Sequence, residues 1–245
     1  MAELPRQLLL DPAFALRDRP RQLPLDLALG PQYGAEQFRF SACNAAAHAM
    51  IGLWPGWPDK ALLLTGPAGS GKTHLLRIWA KRADARVVRG ADLATADAVA
   101  LARAGAFALD DAEGVCRARA EAPLFHLLNL LRESGHGLLL AARQRPESWG
   151  LQTPDLLSRL RLAPGVAIDA PDDGLLRAVL AKLLADRQLA VDGDIVEYVA
   201  LRIPRSLEAA RDTVAALDAE ALARGSKITR ALAARVLEAA ARDGE

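Results

Sequence analysis

Aromatic residues and cysteine are scarce in this sequence. Aromatic residues make up 4% of the 245 residues, and the chain has only two cysteines, Cys43 and Cys116. Two cysteines this far apart give neither a disulfide framework nor a zinc-binding spacing, which indicates a reducing compartment. Because Leu and Ala dominate the apolar residues, we expect much of the chain to be helical.

An excess of charge of one sign is also missing. The chain has 31 basic and 30 acidic residues and a net charge of +1. A protein that coats nucleic acid would carry a clear basic excess, so we do not expect that role. No apolar run approaches the ~20 residues of a membrane span, and the first residues lack the layout of a signal peptide. We therefore expect a cytoplasmic protein with no membrane contact.

The chain divides into three regions. Residues 1–32 carry five prolines and predict an extended tail. Residues 33–170 alternate strand-like apolar runs with helical stretches, which predicts an α/β domain with a parallel sheet flanked by helices. Residues 171–245 contain four amphipathic stretches, each opening with a capping residue, and predict a helical domain. The strands are expected at residues 61–65, 85–88, 106–109 and 137–142, and the first helix at residues 41–53.

A phosphate-binding loop is the most specific motif. Residues 66–73 read GPAGSGKT, after a predicted strand and before a predicted helix. Its glycines let backbone N–H groups surround phosphate oxygens at the positive end of the helix. Lys72 would reach the β- and γ-phosphates, and Thr73 would bind Mg²⁺. We expect ADP or ATP with Mg²⁺, bound by Gly66, Pro67, Ala68, Gly69, Ser70, Gly71, Lys72, Thr73 and His74.

Two acidic residues follow a second buried strand. The strand at residues 106–109 ends in Asp110 and Asp111. Asp110 is expected to hold the Mg²⁺ through water, and Asp111 occupies the place of an acid that activates the attacking water. The alternative is that both residues cap the next helix.

The order of these motifs resembles the AAA+ ATPases, and within them the DnaA-type replication initiators. The resemblance extends from about residue 33 to residue 240, and its segments are residues 38–44, 66–76, 107–111, 138–149, 154–160 and 203–217. It implies that Phe38 and Asn44 lie near the adenine and ribose. It also implies that Arg159 is an arginine finger acting on a neighbouring subunit's γ-phosphate, and that Arg205 is the phosphate-contacting arginine of a helical lid. The alternative for both arginines is a solvated charge at a helix end.

The chain departs from this family pattern at three places. Alanines stand at residues 141 and 142, at the end of the sensor strand, where the family often has a hydroxyl residue. Asp111 is one methylene shorter than the glutamate of active AAA+ enzymes. We therefore expect weak or no intrinsic ATP hydrolysis. The sequence also ends at Glu245, where initiators carry a further C-terminal DNA-binding domain.

The tail contains a second motif. Residues 22–27 read QLPLDL, which resembles the peptide that docks bacterial proteins on the sliding clamp, the β subunit of DNA polymerase III. In such docking, apolar side chains enter preformed pockets and a glutamine adds hydrogen bonds. The expected clamp-binding residues are Gln22, Leu23, Leu25 and Leu27. The alternative is that this segment packs on the core.

Together these features resemble the regulatory branch of the initiator family. Such proteins sit on DNA-loaded clamps, stimulate hydrolysis of the ATP bound to DnaA and so prevent re-initiation. The resemblance implies that Arg159 is presented in trans, with the clamp and DnaA as partners and DNA reached through the clamp. A homodimer paired through Arg159 would have to open first. Two alternatives remain, an ATP-hydrolysing helicase loader and a DnaA-like paralogue with another replication partner.

Overall fold

A five-stranded parallel sheet forms the centre of the protein. The computed structural model describes residues 38–243. The strand order is β2-β3-β4-β1-β5. The strands are β1 (Ala61–Thr65), β2 (Arg86–Arg89), β3 (Phe107–Asp110), β4 (Leu138–Ala142) and β5 (Gly165–Ala167). β1 and β4 are almost wholly apolar because helices cover both faces of the sheet. The predicted α/β class with a parallel sheet is confirmed.

Alternation along β1 distributes its leucines between two hydrophobic cores. Leu63 faces one core, whereas Leu62 and Leu64 face the other. The helices of this part of the chain are α1 (Ala45–Gly52), α2 (Lys72–Ala83), α3 (Ala98–Arg103), α4 (Gly114–Arg117), α5 (Glu121–Glu133) and α6 (Pro154–Leu162). The first core packs against α5 and α6, and the second against α1 and α2.

Four further helices enclose a third core of their own. They are α7 (Asp173–Asp186), α8 (Gly193–Ala200), α9 (Leu207–Arg224) and α10 (Arg230–Asp243). Side-chain caps begin three of them: Asp172 accepts from Leu175 N, Ser206 from Ala209 N, and Thr229 from Leu232 N. Asp192 precedes α8 without such a bond. The four helices stand where the sequence predicts them, and the proposed boundary at residues 170 and 171 stays a prediction.

Some elements differ from the sequence expectations. The first helix begins at Ala45, four residues later than expected, because residues 41–44 form a turn. β5, α3 and α4 were not predicted, since they have three, six and four residues and so are too short for a periodic pattern. Within residues 38–243, no helix combines the length and the apolar character needed to cross a bilayer.

Candidate nucleotide site

The phosphate loop connects β1 to α2 at the carboxyl edge of the sheet. Gly66 and Gly69 have φ angles of 155° and 67°. A Cβ atom on Gly66 would lie 2.3 Å from the Ile168 carbonyl oxygen, and one on Gly69 would lie 1.9 Å from Ser206 Oγ. The loop therefore needs glycine at both positions, for its backbone conformation and for close packing.

Lys72 folds over this loop. Its Nζ donates hydrogen bonds to Gly66 O at 2.8 Å and to Pro67 O at 2.7 Å. Burial lowers the pKa of the Lys72 ammonium, and the charges of Glu113 and Asp110 oppose that shift. Ser70 is 2% exposed, and its Oγ has no hydrogen-bond partner among residues 38–243. A half-buried cation and an unpartnered buried hydroxyl in a loop of this shape fit the oxygens of a phosphate group.

Thr73, at the start of α2, forms a side-chain hydrogen bond with Asp110, at the end of β3. Thr73 Oγ1 donates to Asp110 Oδ2 at 2.9 Å, although β4 separates β1 from β3 in the sheet. A hydroxyl and a carboxylate are ligand types that Mg²⁺ takes beside nucleotide phosphates. In the described part of the chain, no three His, Cys, Asp or Glu side chains cluster as metal ligands. A magnesium ion here would therefore complete its shell with nucleotide and water oxygens.

The other two acids after β3 point to different neighbours. The Asp111 carboxylate lies 3.6 Å from the Arg117 guanidinium. Glu113 Oε1 accepts a hydrogen bond from Arg143 N at 3.0 Å, at the end of β4. Sequence reasoning missed Glu113, because its contact is with a residue 30 positions away. The only available signal was a third acid closely following Asp110.

Phe38 and Asn44, which are expected near the adenine, precede α1. His74, which is expected to bind with the phosphate loop, lies in the first turn of α2. Phe38 is 9% exposed, and its ring centroid lies 5.4 Å from that of His74 in an edge-to-face arrangement. Asn44 is buried, its Oδ1 accepts from Ser41 N and its Nδ2 donates to Arg39 O. Asn44 therefore holds the turn that follows Phe38, and Phe38 contacts His74, in the first turn of α2.

Arg205 lies one residue before the cap of α9. The start of α9 packs on the phosphate loop, since Leu207 N donates to Gly69 O at 2.8 Å. The Arg205 guanidinium pairs with Asp173 at 2.9 Å, and both side chains are more than half exposed. The structure thus places Arg205 near the loop and pairs it with the first turn of α7.

Arg159 lies at the other edge of the sheet. It is exposed near the end of α6, beside Ala61 and Leu138, the first residues of β1 and β4. The phosphate loop follows the last residue of β1, so five strand residues, about 16 Å, separate the two sites. No carboxylate of residues 38–243 forms an ion pair with Arg159. The clamp-binding residues Gln22, Leu23, Leu25 and Leu27 lie outside the described residues.

The curated proteins most similar to this chain include replication initiators. It is 27% identical over 195 residues to the chromosomal replication initiator protein DnaA of Rippkaea orientalis, covering 70% of this chain and 43% of that protein. It is 28% identical over 219 residues to DnaA of Thermomicrobium roseum, covering 77% and 46%. The chain thus spans less than half the length of these relatives. No family model matches the sequence.

Solved structures share the fold. Domain III of the Thermotoga maritima replication initiation protein DnaA has a TM-score of 0.74 at 19% identity, covering 85% of this chain and 97% of that domain. DnaA from Aquifex aeolicus bound to AMPPCP has a TM-score of 0.64 at 19% identity, covering 80% and 68%. The Holliday junction branch migration motor RuvB of Thermotoga maritima has a TM-score of 0.57 at 17% identity, covering 73% and 61%. The chain therefore has an AAA+ fold, and its sequence is DnaA-like.

Proposed function

We propose that this protein is a regulatory AAA+ adaptor of the Hda type, the regulatory inactivator of DnaA. In this role it binds ADP or ATP with Mg²⁺, docks on the sliding clamp and stimulates hydrolysis of the ATP bound to DnaA. The contact between Thr73 and Asp110, with Lys72 over the loop, supports the nucleotide site. The sequence similarity to DnaA supports a role in replication initiation.

The placement of Arg159 is the observation that carries the adaptor role. The side chain is exposed, has no ion-pair partner among the described residues and lies at the sheet edge opposite to its own phosphate loop. From there it cannot act on a nucleotide in its own chain. On a partner's nucleotide it would stabilise the charge that develops on the γ-phosphate during hydrolysis.

The chain's own nucleotide would act through contacts at the loop. Lys72 and the loop N–H groups hold the phosphates, and Thr73 with Asp110 holds Mg²⁺, which neutralises phosphate charge. Phe38 and His74 face the base, and Arg205 approaches the phosphates from the start of α9. Because α9 is bonded to Gly69, phosphate binding at the loop is transmitted to the four-helix region, which would act as a lid.

The tail supplies the location of this activity. Gln22, Leu23, Leu25 and Leu27 would enter the peptide-binding pockets of the sliding clamp, so the protein meets DNA through the clamp. The clamp then holds the adaptor close to the initiator on newly replicated DNA, which raises its effective concentration.

Two measurements on the full-length chain test this function. The first is binding to the purified sliding clamp, where we expect a dissociation constant of about 1 μM or tighter, lost in the double variant Gln22→Ala/Leu27→Ala. The second is hydrolysis of DnaA-bound ATP with clamp and DNA present. Arg159→Ala should abolish stimulation, whereas Arg161→Ala, an exposed arginine of the same helix, should keep it.

The outcomes separate the adaptor from its alternatives. Absence of clamp binding, together with rapid ATP turnover by the chain itself, would favour a helicase loader. Absence of clamp binding without turnover would favour a DnaA-like paralogue with another partner. Full stimulation by Arg159→Ala would remove the arginine from the mechanism even if the clamp is bound.

A further inference from the structure

Three acids stand at the end of β3: Asp110 is its last residue, and Asp111 and Glu113 follow it. β3 has β2 on one side and β4 on the other, and β4 in turn neighbours β1 and its phosphate loop. A side chain that turns toward β4 therefore approaches the phosphate loop, and one that turns toward β2 moves away from it. Asp110 is already engaged by Thr73.

Asp111 turns away from the phosphate loop. Its backbone has a φ of 52° and passes Gly90, directly after β2, so closely that a Cβ there would lie 2.3 Å from Asp111 O. Its carboxylate lies 3.6 Å from Arg117 and close to Gly114, both on α4. These neighbours place the Asp111 carboxylate on the β2 side of β3.

Glu113 turns toward the phosphate loop. Its Oε1 accepts from Arg143 N at 3.0 Å, directly after the last residue of β4, and lies 3.8 Å from Nε of the Arg143 guanidinium. Its Oε2 is buried and has no hydrogen-bond partner among residues 38–243. Burial lowers the pKa of the Lys72 ammonium, and among the acids the charge of Glu113 opposes that shift most. The hydroxyl of Ser70, in the phosphate loop, is also buried and unpartnered, which independently indicates that a phosphate binds at this loop.

We propose that Glu113, and not Asp111, is the acid that faces the γ-phosphate of bound ATP. The proposal rests on the nucleotide binding proposed above and names the group that distinguishes ATP from ADP. With ATP bound, the unpartnered Oε2 would accept a hydrogen bond from a water molecule beside the terminal phosphate. In hydrolysis the water oxygen bonds to phosphorus, the bridging oxygen leaves with its electron pair as ADP, and Glu113 passes the water's proton to the released phosphate.

The charge of Glu113 predicts a measurable preference for ADP over ATP. A carboxylate beside the terminal phosphate repels the additional negative charge of ATP but has less effect on ADP. Glu113→Gln keeps the size of the side chain and an oxygen that accepts from Arg143 N, and it removes the charge together with the ion pair to the Arg143 guanidinium. Asp111→Asn is the matched control, since it makes the same change on the other side of β3.

The test is calorimetric binding of ADP and of AMPPCP, an ATP analogue, to the full-length chain with Mg²⁺. We expect Glu113→Gln to tighten AMPPCP relative to ADP by about tenfold. Asp111→Asn should change that ratio by less than about twofold. Glu113→Asp, which retains the charge, should stay within about threefold of the wild type.

The other outcomes would overturn either the assignment of Glu113 or the proposed nucleotide binding. An unchanged ratio in Glu113→Gln, or a tenfold shift in Asp111→Asn, would overturn the assignment. A shift in Glu113→Asp as large as that in Glu113→Gln would also overturn it, because packing and not charge would then set the ratio. If the wild type binds neither nucleotide, the proposed function itself fails, which differs from binding with an unaltered ratio.

Discussion

Gly69 and Leu207 are joined by a backbone hydrogen bond of 2.8 Å from Leu207 N to Gly69 O. The bond connects the middle of the phosphate loop to the first residue of α9, more than a hundred positions later in the chain. The phosphate loop and the helical region are therefore in direct contact at this point, and changes at Gly69 should affect both.

Gly69→Ala should weaken both folding and nucleotide binding. The new Cβ would lie 1.9 Å from Ser206 Oγ at a φ of 67°. The left-handed backbone costs about 1 kcal/mol, and the collision adds about 1–3 kcal/mol. The measurements are urea unfolding and ADP binding.

Gly225→Ala is the control for this change. Gly225 also has a positive φ, 58°, but nothing lies within 4 Å of a Cβ at that position. Gly225→Ala should lose only the stability that the left-handed backbone costs, and it should keep wild-type ADP affinity. Equal losses in the two variants would show that the contact between the loop and α9 has no energetic importance.

Thr73→Val should remove the dependence of nucleotide binding on magnesium. The variant keeps the shape of the side chain but loses the hydroxyl that contacts Asp110 at 2.9 Å. We expect ADP affinity to fall by about tenfold with Mg²⁺ and to change little with EDTA. Thr95→Val, an exposed threonine outside the site, serves as the control. A similar loss with and without Mg²⁺ would contradict a metal-binding role.

Asp173→Asn should strengthen binding of AMPPCP. Asp173 holds the Arg205 guanidinium at 2.9 Å, and a bound phosphate would compete for the same group. Because the pair is exposed, we expect an increase in affinity of only about twofold to fivefold. Arg205→Ala should instead lower the affinity. Asp194→Asn, in the first turn of α8, is the control, and an effect of equal size there would indicate only a change in net charge.

Glu121 should make stability depend on pH. Partial burial alone would raise the pKa of Glu121, but hydrogen bonds from Gln152 and Thr153 outweigh it and hold the pKa below its usual 4.5. Since the folded protein has the lower pKa, the stabilisation is present above about pH 4.5 and is lost as pH falls through the folded value. Urea unfolding should therefore show a destabilised Glu121→Gln at pH 7, with the difference shrinking in acid.

Glu133→Gln is the control, because Glu133 is exposed at the end of the same helix. Glu133→Gln should not destabilise the protein at pH 7. The hydrogen bonds that the Glu121 carboxylate accepts from Gln152 N and Thr153 N also fix the start of α6, the helix that carries Arg159. A constant difference between Glu121→Gln and the wild type from neutral to acid pH would show that its charge does not act.

Local sequence patterns predicted the elements that depend on local physics. The leucines of β1 are followed by a glycine loop and a helical period, so β1 and α2 were found close to their true positions. β5 is three residues long and is defined by its pairing with β1, which only the folded chain provides. The direction of Glu113 depends in the same way on the place of β4 between β3 and β1. The sequence patterns singled out Asp110 and Asp111 but missed Glu113, because only the folded sheet brings it beside Arg143.

The position of Arg159 makes the two ends of the molecule different. An arginine at one end of a chain reaches a phosphate loop at the opposite end of another only when the two associate head to tail, through different surfaces. A head-to-tail assembly of several chains would expose a free Arg159 at one end and an open phosphate loop at the other. Because these two ends differ chemically, different partners would add to, or block, each end.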